Sequence, residues 1–237
     1  MSRALFSCLV AAAMFSLIAK VGLADESGVT LKKGDRIVFL GDSITQGGDS
    51  HDKGYVRLIR KTLTEKHADL ELEVIGAGIS GNKVPDLQRR LEKDVLSRKP
   101  TLVVIYIGIN DVWHGENDPA RGTLPEAFAA GLKEVIGRCT EAGAKVVVCT
   151  PTVIGEKKDG GNKLDQRLDQ YSDISRNLAK ELKLPLCDLR KAFLDYLKEN
   201  NAENADKGIL TTDRVHLNDA GNKFVADTML KVIDQGK

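Results

Sequence analysis

The chain has 237 residues, 42% of them hydrophobic, and a formal net charge of +1. That is enough apolar content for one sizeable core, and one globular domain is the natural expectation. Charges of both signs are scattered along it, which excludes the basic footprint of a nucleic-acid binder or of a protein drawn to an acidic membrane surface.

The N-terminus departs from this pattern. Arg3 precedes a continuous apolar segment over residues 4–19, and Gly22-Leu23-Ala24 places small residues where a signal peptidase cleaves. The pattern predicts a signal peptide over 1–24 and an exported mature chain over 25–237. The apolar run is shorter than the roughly 20 residues a spanning helix needs, so no stable membrane anchor is expected.

The first strand is expected over 36–41, where Ile37-Val38-Phe39-Leu40 runs unbroken to Gly41. Asp42 and Ser43 follow, then a loop rich in Gly and small polar residues. In an open parallel sheet this loop lies at the mouth of a site, with the Ser43 hydroxyl exposed on a sharp turn. Residues 55–66 space Tyr55, Leu58, Ile59 and Leu63 as one helix face. A second strand over 72–78 breaks into the loop Gly78-Ile79-Ser80-Gly81. The next helix turns Val84, Leu87, Leu91 and Val95 inward and stops at Lys99-Pro100. Leu102-Val103-Val104-Ile105-Tyr106-Ile107 is apolar throughout, as a strand buried on both faces must be. It runs into a polar loop, Gly108-Ile109-Asn110-Asp111.

Beyond Pro125 a helix is expected to about Cys139, then a fourth strand over 145–150. Residues 152–163 are rich in Gly and Lys and read as an exposed loop. A helix over 164–182, a fifth strand over 184–188 and a short helix over 192–199 follow, with a polar loop over 200–212. The last helix falls within 215–232, with Asn218 as its cap and Phe224, Val225, Met229 and Val232 as its buried stripe. Strands alternating with helices at this spacing predict an α/β fold, a three-layer αβα sandwich with a five-stranded parallel sheet of flavodoxin-like type. No repeat or shift in composition marks a second domain.

Cys8 lies in the leader, which leaves Cys139, Cys149 and Cys187. Their odd number and wide spacing argue against a disulfide framework or a zinc site, and buried free thiols are expected, with a Cys139–Cys149 bridge as the alternative. His51, His67 and His114 show no ligand spacing, so no metal is expected. Trp113 and His114 follow the third polar loop, at the rim of a site or in packing beneath it.

Three strand ends therefore carry Ser43, the loop to Gly81, and Asn110 on one edge of the sheet. Asp213-Arg214-Val215-His216 stands immediately before the last helix. An acid three residues before a His can share one side of a turn with it, accept from imidazole Nδ1 and leave Nε2 free as a base. A serine hydroxyl needs such a base to act as a nucleophile at neutral pH. Asp42 and Asp111 read as loop-tying residues.

With these residues in this order, the sequence resembles the SGNH hydrolases, also called GDSL lipases and esterases. Four blocks carry the resemblance: Gly41-Asp42-Ser43, Gly78-Ile79-Ser80-Gly81-Asn82, Gly108-Ile109-Asn110-Asp111 and Asp213-Arg214-Val215-His216. The resemblance implies Ser43 as nucleophile, His216 as base and Asp213 as its orienter. It implies an oxyanion hole from the N–H groups of Ser43 and Gly81 and the Asn110 amide. These types suit the task, since Gly81 lets an N–H approach closely and Asn110 offers a donor that does not titrate. One departure is that the second block often begins with Asn, where this chain has Gly76.

The expected activity is hydrolysis of carboxylic esters through an acyl-enzyme without a cofactor. The expected substrates are small-molecule or carbohydrate esters, with short acyl groups such as acetyl favoured over lysophospholipids or lipids. Two rivals are a flavodoxin-like module that cradles a phosphate or flavin in the loop after Ser43, and a catalytically silent carbohydrate-binding relative. Neither gives Asp213 and His216 work to do.

Overall fold

The computed structural model describes residues 28–235, so the expected leader lies outside the described residues. Five strands form the sheet: β1 (Arg36–Gly41), β2 (Glu73–Gly78), β3 (Leu102–Tyr106), β4 (Lys145–Cys149) and β5 (Leu186–Cys187). All pair in parallel, in the order β2-β1-β3-β4-β5. This is the flavodoxin-like order, in which the chain reverses direction across the sheet at β1 and β3. In register, Leu40 stands beside Ala77 and Ile105, and Gly41 beside Gly78 and Tyr106, so three strands end together.

The central strands are apolar on both faces because helices cover both. Ile37, Val38, Phe39, Leu40 and Leu102 to Tyr106 are all buried. Each such side chain contributes about 1.5–3 kcal/mol by leaving water. The helices are α1 (Ser43–Ser50), α2 (Tyr55–Lys66), α3 (Val84–Asp94), α4 (Ile109–Trp113), α5 (Pro125–Glu141), α6 (Asp165–Glu181), α7 (Leu189–Asn200) and α8 (Asp219–Ile233). Helix α2 packs beside α8 on one face, whereas α3, α5 and α6 pack in series on the other.

Several local expectations need correction. The loop after β1 is the helix α1, despite its two glycines. Asp42 caps it by accepting the Ile44 N–H at 2.9 Å, and Ile44, Thr45 and Gly48 form its buried side. Gly48 is required there, because a Cβ would lie 2.5 Å from the Tyr55 ring. Strand β5 has only two residues: Pro185 brings no N–H to the ladder, and Asp188 turns away to cap α7, which begins at Leu189 rather than 192. The loop at 108–111 winds into the single turn α4. Helix α8 begins at Asp219, where the Asn218 side chain accepts from the Gly221 N–H. Its buried stripe is Val225, Ala226, Met229 and Ile233, with Phe224 half-buried beside it against Phe193 and Tyr196.

The largest correction concerns 152–163. Residues 157–161 are largely exposed, but Thr152, Val153, Ile154 and Glu156 are buried. Cys139, Cys149 and Cys187 are buried free thiols, so the alternative Cys139–Cys149 bridge is not formed, although Cys149 and Cys187 face each other in register.

Candidate active site

The polar residues expected at the sheet's carboxyl edge meet there. Ser43 is the first residue of α1, held by the Asp42 cap directly beyond β1. Its Oγ lies 2.9 Å from His216 Nε2, and His216 Nδ1 lies 2.7 Å from Asp213 Oδ2. Asp213 Oδ1 also accepts the backbone N–H groups of Val215 at 3.1 Å and His216 at 2.8 Å. Those bonds fold the chain back at Arg214, which adopts a left-handed φ of +87°. A non-glycine residue there is strained, and the strain turns both functional side chains to one side. Partial burial raises the Asp213 carboxyl, but the hydrogen bonds from the His216 side chain and the two N–H groups outweigh it. The net result is a carboxyl held below its ordinary value. It is therefore an anion that accepts the Nδ1 proton and leaves Nε2 facing the serine.

The second and third blocks meet through Asn82. The buried Asn110 side chain donates from Nδ2 to the Asn82 carbonyl at 3.1 Å, which fixes the amide plane and leaves its other proton free. Gly81 has a φ of +76° with no atom within 4 Å of where a Cβ would stand, so backbone conformation alone calls for glycine. Its N–H makes no hydrogen bond to another described residue. At Gly76, where the family resemblance leads to an expected Asn, a Cβ would lie 2.5 Å from the Asp49 side chain. Asp49 binds Arg60 at 2.7 Å, so this ion pair holds the space that a larger residue would need.

Two charged residues not singled out in the sequence hold these loops. Arg90 of α3 donates to the Gly41 carbonyl at 2.7 Å, the Ala77 carbonyl at 2.9 Å and Asn82 Oδ1 at 2.6 Å, and so laces the ends of β1 and β2 to the loop that carries Gly81. Its place on the helix was readable, three residues beyond inward-facing Leu87, but not the targets of its guanidinium. Glu156, inside the segment expected to be exposed, is the other, and nothing local signals it.

Asp42 and Asp111 do tie loops. Burial pushes the Asp42 carboxyl up to about 7, against the pull of the Ile44 N–H. Burial also pushes Asp111 up to about 6, although the Val84 N–H donates to its Oδ1 at 3.1 Å. Thr123 lies close to Asp111, but neither its hydroxyl nor Asp111 Oδ2 reaches hydrogen-bonding geometry with a described residue. Asp42 also counts against a phosphate cradle, because its carboxyl occupies the α1 N-terminus where a phosphate would bind.

Two cavities lie near these residues, and His216 lines the larger. One of about 650 Å³ opens beside Ser43, walled by Ile44, Gly47 and Gly48 on one side and by Ile209, Leu217 and the first turn of α8 on the other. The second, of about 230 Å³, is lined by Trp113, His114, Glu116, Asn117, Asp118 and Arg121. Trp113, in the smaller, stands edge-on to His216, in the larger, with ring centroids 6.5 Å apart. Burial first, with Lys83 and Arg121 adding to it, lowers the pKa of His114, so a neutral imidazole lines the smaller cavity at neutral pH. No group of three or more potential metal-ligating side chains occurs among the described residues.

The profile of the GDSL-like lipase/acylhydrolase family matches residues 39–224, from the middle of β1 into α8. The chain belongs to this family. It is a carboxylic ester hydrolase with the parallel α/β architecture of its relatives. Among these, an acetylxylan esterase of Geobacillus stearothermophilus is 30% identical over 84% of this chain and 94% of its own length. The crystal structure of another acetyl xylan esterase superposes with a TM-score of 0.79 at 47% identity, covering 83% of this chain and 98% of that one. An uncharacterized lipoprotein of Bacillus subtilis (strain 168) is 26% identical over 80% of this chain and 85% of its own.

Proposed function

We propose that this esterase removes acetyl groups from carbohydrate esters through an acyl-enzyme on Ser43. The observation that carries the assignment is the continuous chain from Asp213 Oδ2 through the imidazole to Ser43 Oγ, with spacings of 2.7 and 2.9 Å. His216 Nε2 takes the hydroxyl proton as Oγ attacks the ester carbonyl, and Asp213 stabilises the imidazolium that forms. The carbonyl oxygen becomes an oxyanion facing the N–H groups of Ser43 and Gly81 and the free Asn110 amide proton. These donors are held before the reaction begins, so little reorganisation opposes the charge as it appears. His216 returns the proton to the departing sugar oxygen. It then activates a water molecule that releases acetate and restores the serine.

The carbohydrate preference rests on the acetylxylan esterases to which the chain is similar, and the residues around Trp113 fit it. An aromatic ring beside Asn117, Glu116, Asp118 and Arg121 supplies an apolar face and planar polar groups, the chemistry a sugar ring needs. We extend the proposal to export: the leader pattern over 1–24 supports it, as does a lipoprotein among the relatives.

The test is hydrolysis of p-nitrophenyl esters from acetate to palmitate and of acetylated xylo-oligosaccharides, by the mature wild type and by Ser43→Ala. Turnover highest on acetate and the oligosaccharides, and abolished in the variant, is the expected result. A maximum on long acyl chains would overturn the acetyl assignment, and full activity in Ser43→Ala would overturn the nucleophile.

A further inference from the structure

Asp213 and His216 stand on a stretch with little structure of its own. Between α7 and α8 the chain forms no strand, only the isolated bridge Thr211↔Leu217. Asp213 and His216 are 50% and 40% exposed, and Arg214 is strained, so burial of the site residues does not hold this loop. Ser43, in contrast, is fixed to the sheet through β1. The 2.9 Å approach of His216 to Ser43 therefore depends on whatever locates the loop against the sheet.

The structure assigns that role to Glu156. Its side chain is completely buried, seven residues past the end of β4. One carboxylate oxygen accepts the N–H groups of Leu210 at 2.7 Å and Thr211 at 2.6 Å, and the other accepts the Ile209 N–H at 2.7 Å. Three successive backbone donors ending two residues before Asp213 thus converge on one side chain. The Glu156 backbone is held in turn: its N–H donates to the Asp206 carbonyl at 2.9 Å, and its carbonyl accepts from Asn201 Nδ2 at 2.7 Å. Next to it, the Gly155 N–H donates to the Arg214 carbonyl at 2.8 Å, at the apex of the functional turn.

Only a carboxylate fits this demand. It presents two oxygens and no donor, whereas the amide of Gln would set an NH2 group against one or two N–H groups with nothing to accept them. Glu156 touches neither substrate nor reacting atoms. It is a positioning residue that acts through the loop on Asp213 and His216.

The inference rests on the catalytic assignment of His216, and its test separates the two. Wild type, Glu156→Gln, Glu156→Asp and Ser43→Ala are compared for folding by circular dichroism and for kcat and KM on an acetyl ester. The far-downfield proton resonance of a hydrogen-bonded imidazole Nδ1 is followed in each. Folded Glu156→Gln is expected to lose about 10- to 100-fold in kcat, the scale of a small misplacement of a catalytic group, with KM within about twofold. The Nδ1 resonance should broaden or vanish while the rest of the spectrum is kept. Glu156→Asp keeps both oxygens and should recover part of kcat and of the resonance.

A folded Glu156→Gln with wild-type kcat and resonance would overturn the role. Where Glu156→Gln does not fold, Glu156→Asp decides: a folded variant with both readouts unchanged overturns the role, and a fall in kcat with a shifted resonance supports it. Full activity in Ser43→Ala would instead strike the catalytic assignment, and the resonance would still report whether Glu156 positions His216.

Discussion

The two halves of the site are built by different means. Ser43, Gly81 and Asn110 stand at or just beyond the ends of β1, β2 and β3, strands paired in register, of which β1 and β3 are buried on both faces. Arg90 crosslinks the ends of β1 and β2 and the Asn82 side chain. Asp213 and His216 stand half-exposed on a loop with one isolated bridge, anchored by the buried Leu210, Thr211 and Val215 and tied by a buried carboxylate from a distant segment. The half that carries Ser43, Gly81 and Asn110 is thus placed by the sheet. The half that carries Asp213 and His216 is placed by those hydrogen bonds and by the buried side chains beside them.

The largest effect should come from the second half. Asp213→Asn removes the anion that orients His216 and leaves an amide that favours the wrong tautomer. A kcat loss of about 10⁴-fold is the scale of that change in a Ser-His-Asp enzyme. Steady-state kinetics on an acetyl ester would check it, and a loss below tenfold would mean that the backbone turn at Arg214 orients the ring without the carboxylate. In the first half, Asn110→Ala deletes one of three donors and should lower kcat by about 10²- to 10³-fold at nearly constant KM. If both substitutions instead raised KM alone, the two halves would be binding groups and the contrast between them would collapse.

Arg90 tests the first half through stability. Arg90→Met keeps much of the aliphatic stem but leaves the carbonyls of Gly41 and Ala77 without this donor and Asp94 without its cation. Removing one partner from this part-buried charged network costs about 1.5–3 kcal/mol. The loss would be read in urea unfolding, with Asn110-dependent turnover falling alongside. A stability change under about 0.5 kcal/mol would show that water serves these carbonyls equally well.

The same contrast explains what could be read from the sequence. The bounds of β1 and α2 follow from local apolar runs and helical spacing, because the groups that stabilise them are neighbours in the chain or in one periodic face, and the alternation of such segments gives the parallel sheet. Ser43, Asn110 and the Asp213–His216 pair were legible because chemistry limits which residue types can do their work. Helix α1 was not, since its glycines mask a helix justified only by the cap at Asp42 and by the closeness of Tyr55. Glu156 was illegible for a stronger reason. Its partners lie 53–55 residues away and are all backbone N–H groups, which carry no side-chain signature. A Lys- and Gly-rich neighbourhood made it look like surface.

The smallest effect concerns the buried acids that support the first half, and it has a definite sign. In the unfolded chain an Asp gives up its proton near pH 4. In the folded protein burial holds the proton on Asp42 to about 7 and on Asp111 to about 6. Between these values the folded state binds more protons on these two acids than the unfolded state, so their contribution to stability is greatest below about pH 4 and falls as pH rises towards 7. From pH 5 to 7 the loss due to Asp42 is on the order of 2 kcal/mol. Asp213 works in the opposite direction, since its carboxyl is held below the ordinary value. Its contribution is present at neutral pH and is lost only as pH falls below 4, outside this window. Asp42→Asn keeps a side chain able to cap α1 and cannot titrate, so urea unfolding at several pH values should show its slope between pH 5 and 7 reduced relative to wild type. Its stability should match wild type most closely near pH 4 and exceed it most at pH 7. An unchanged slope would mean that Asp42 is ionised throughout, and that the α1 N-terminus and the site above it stabilise the charge in spite of burial.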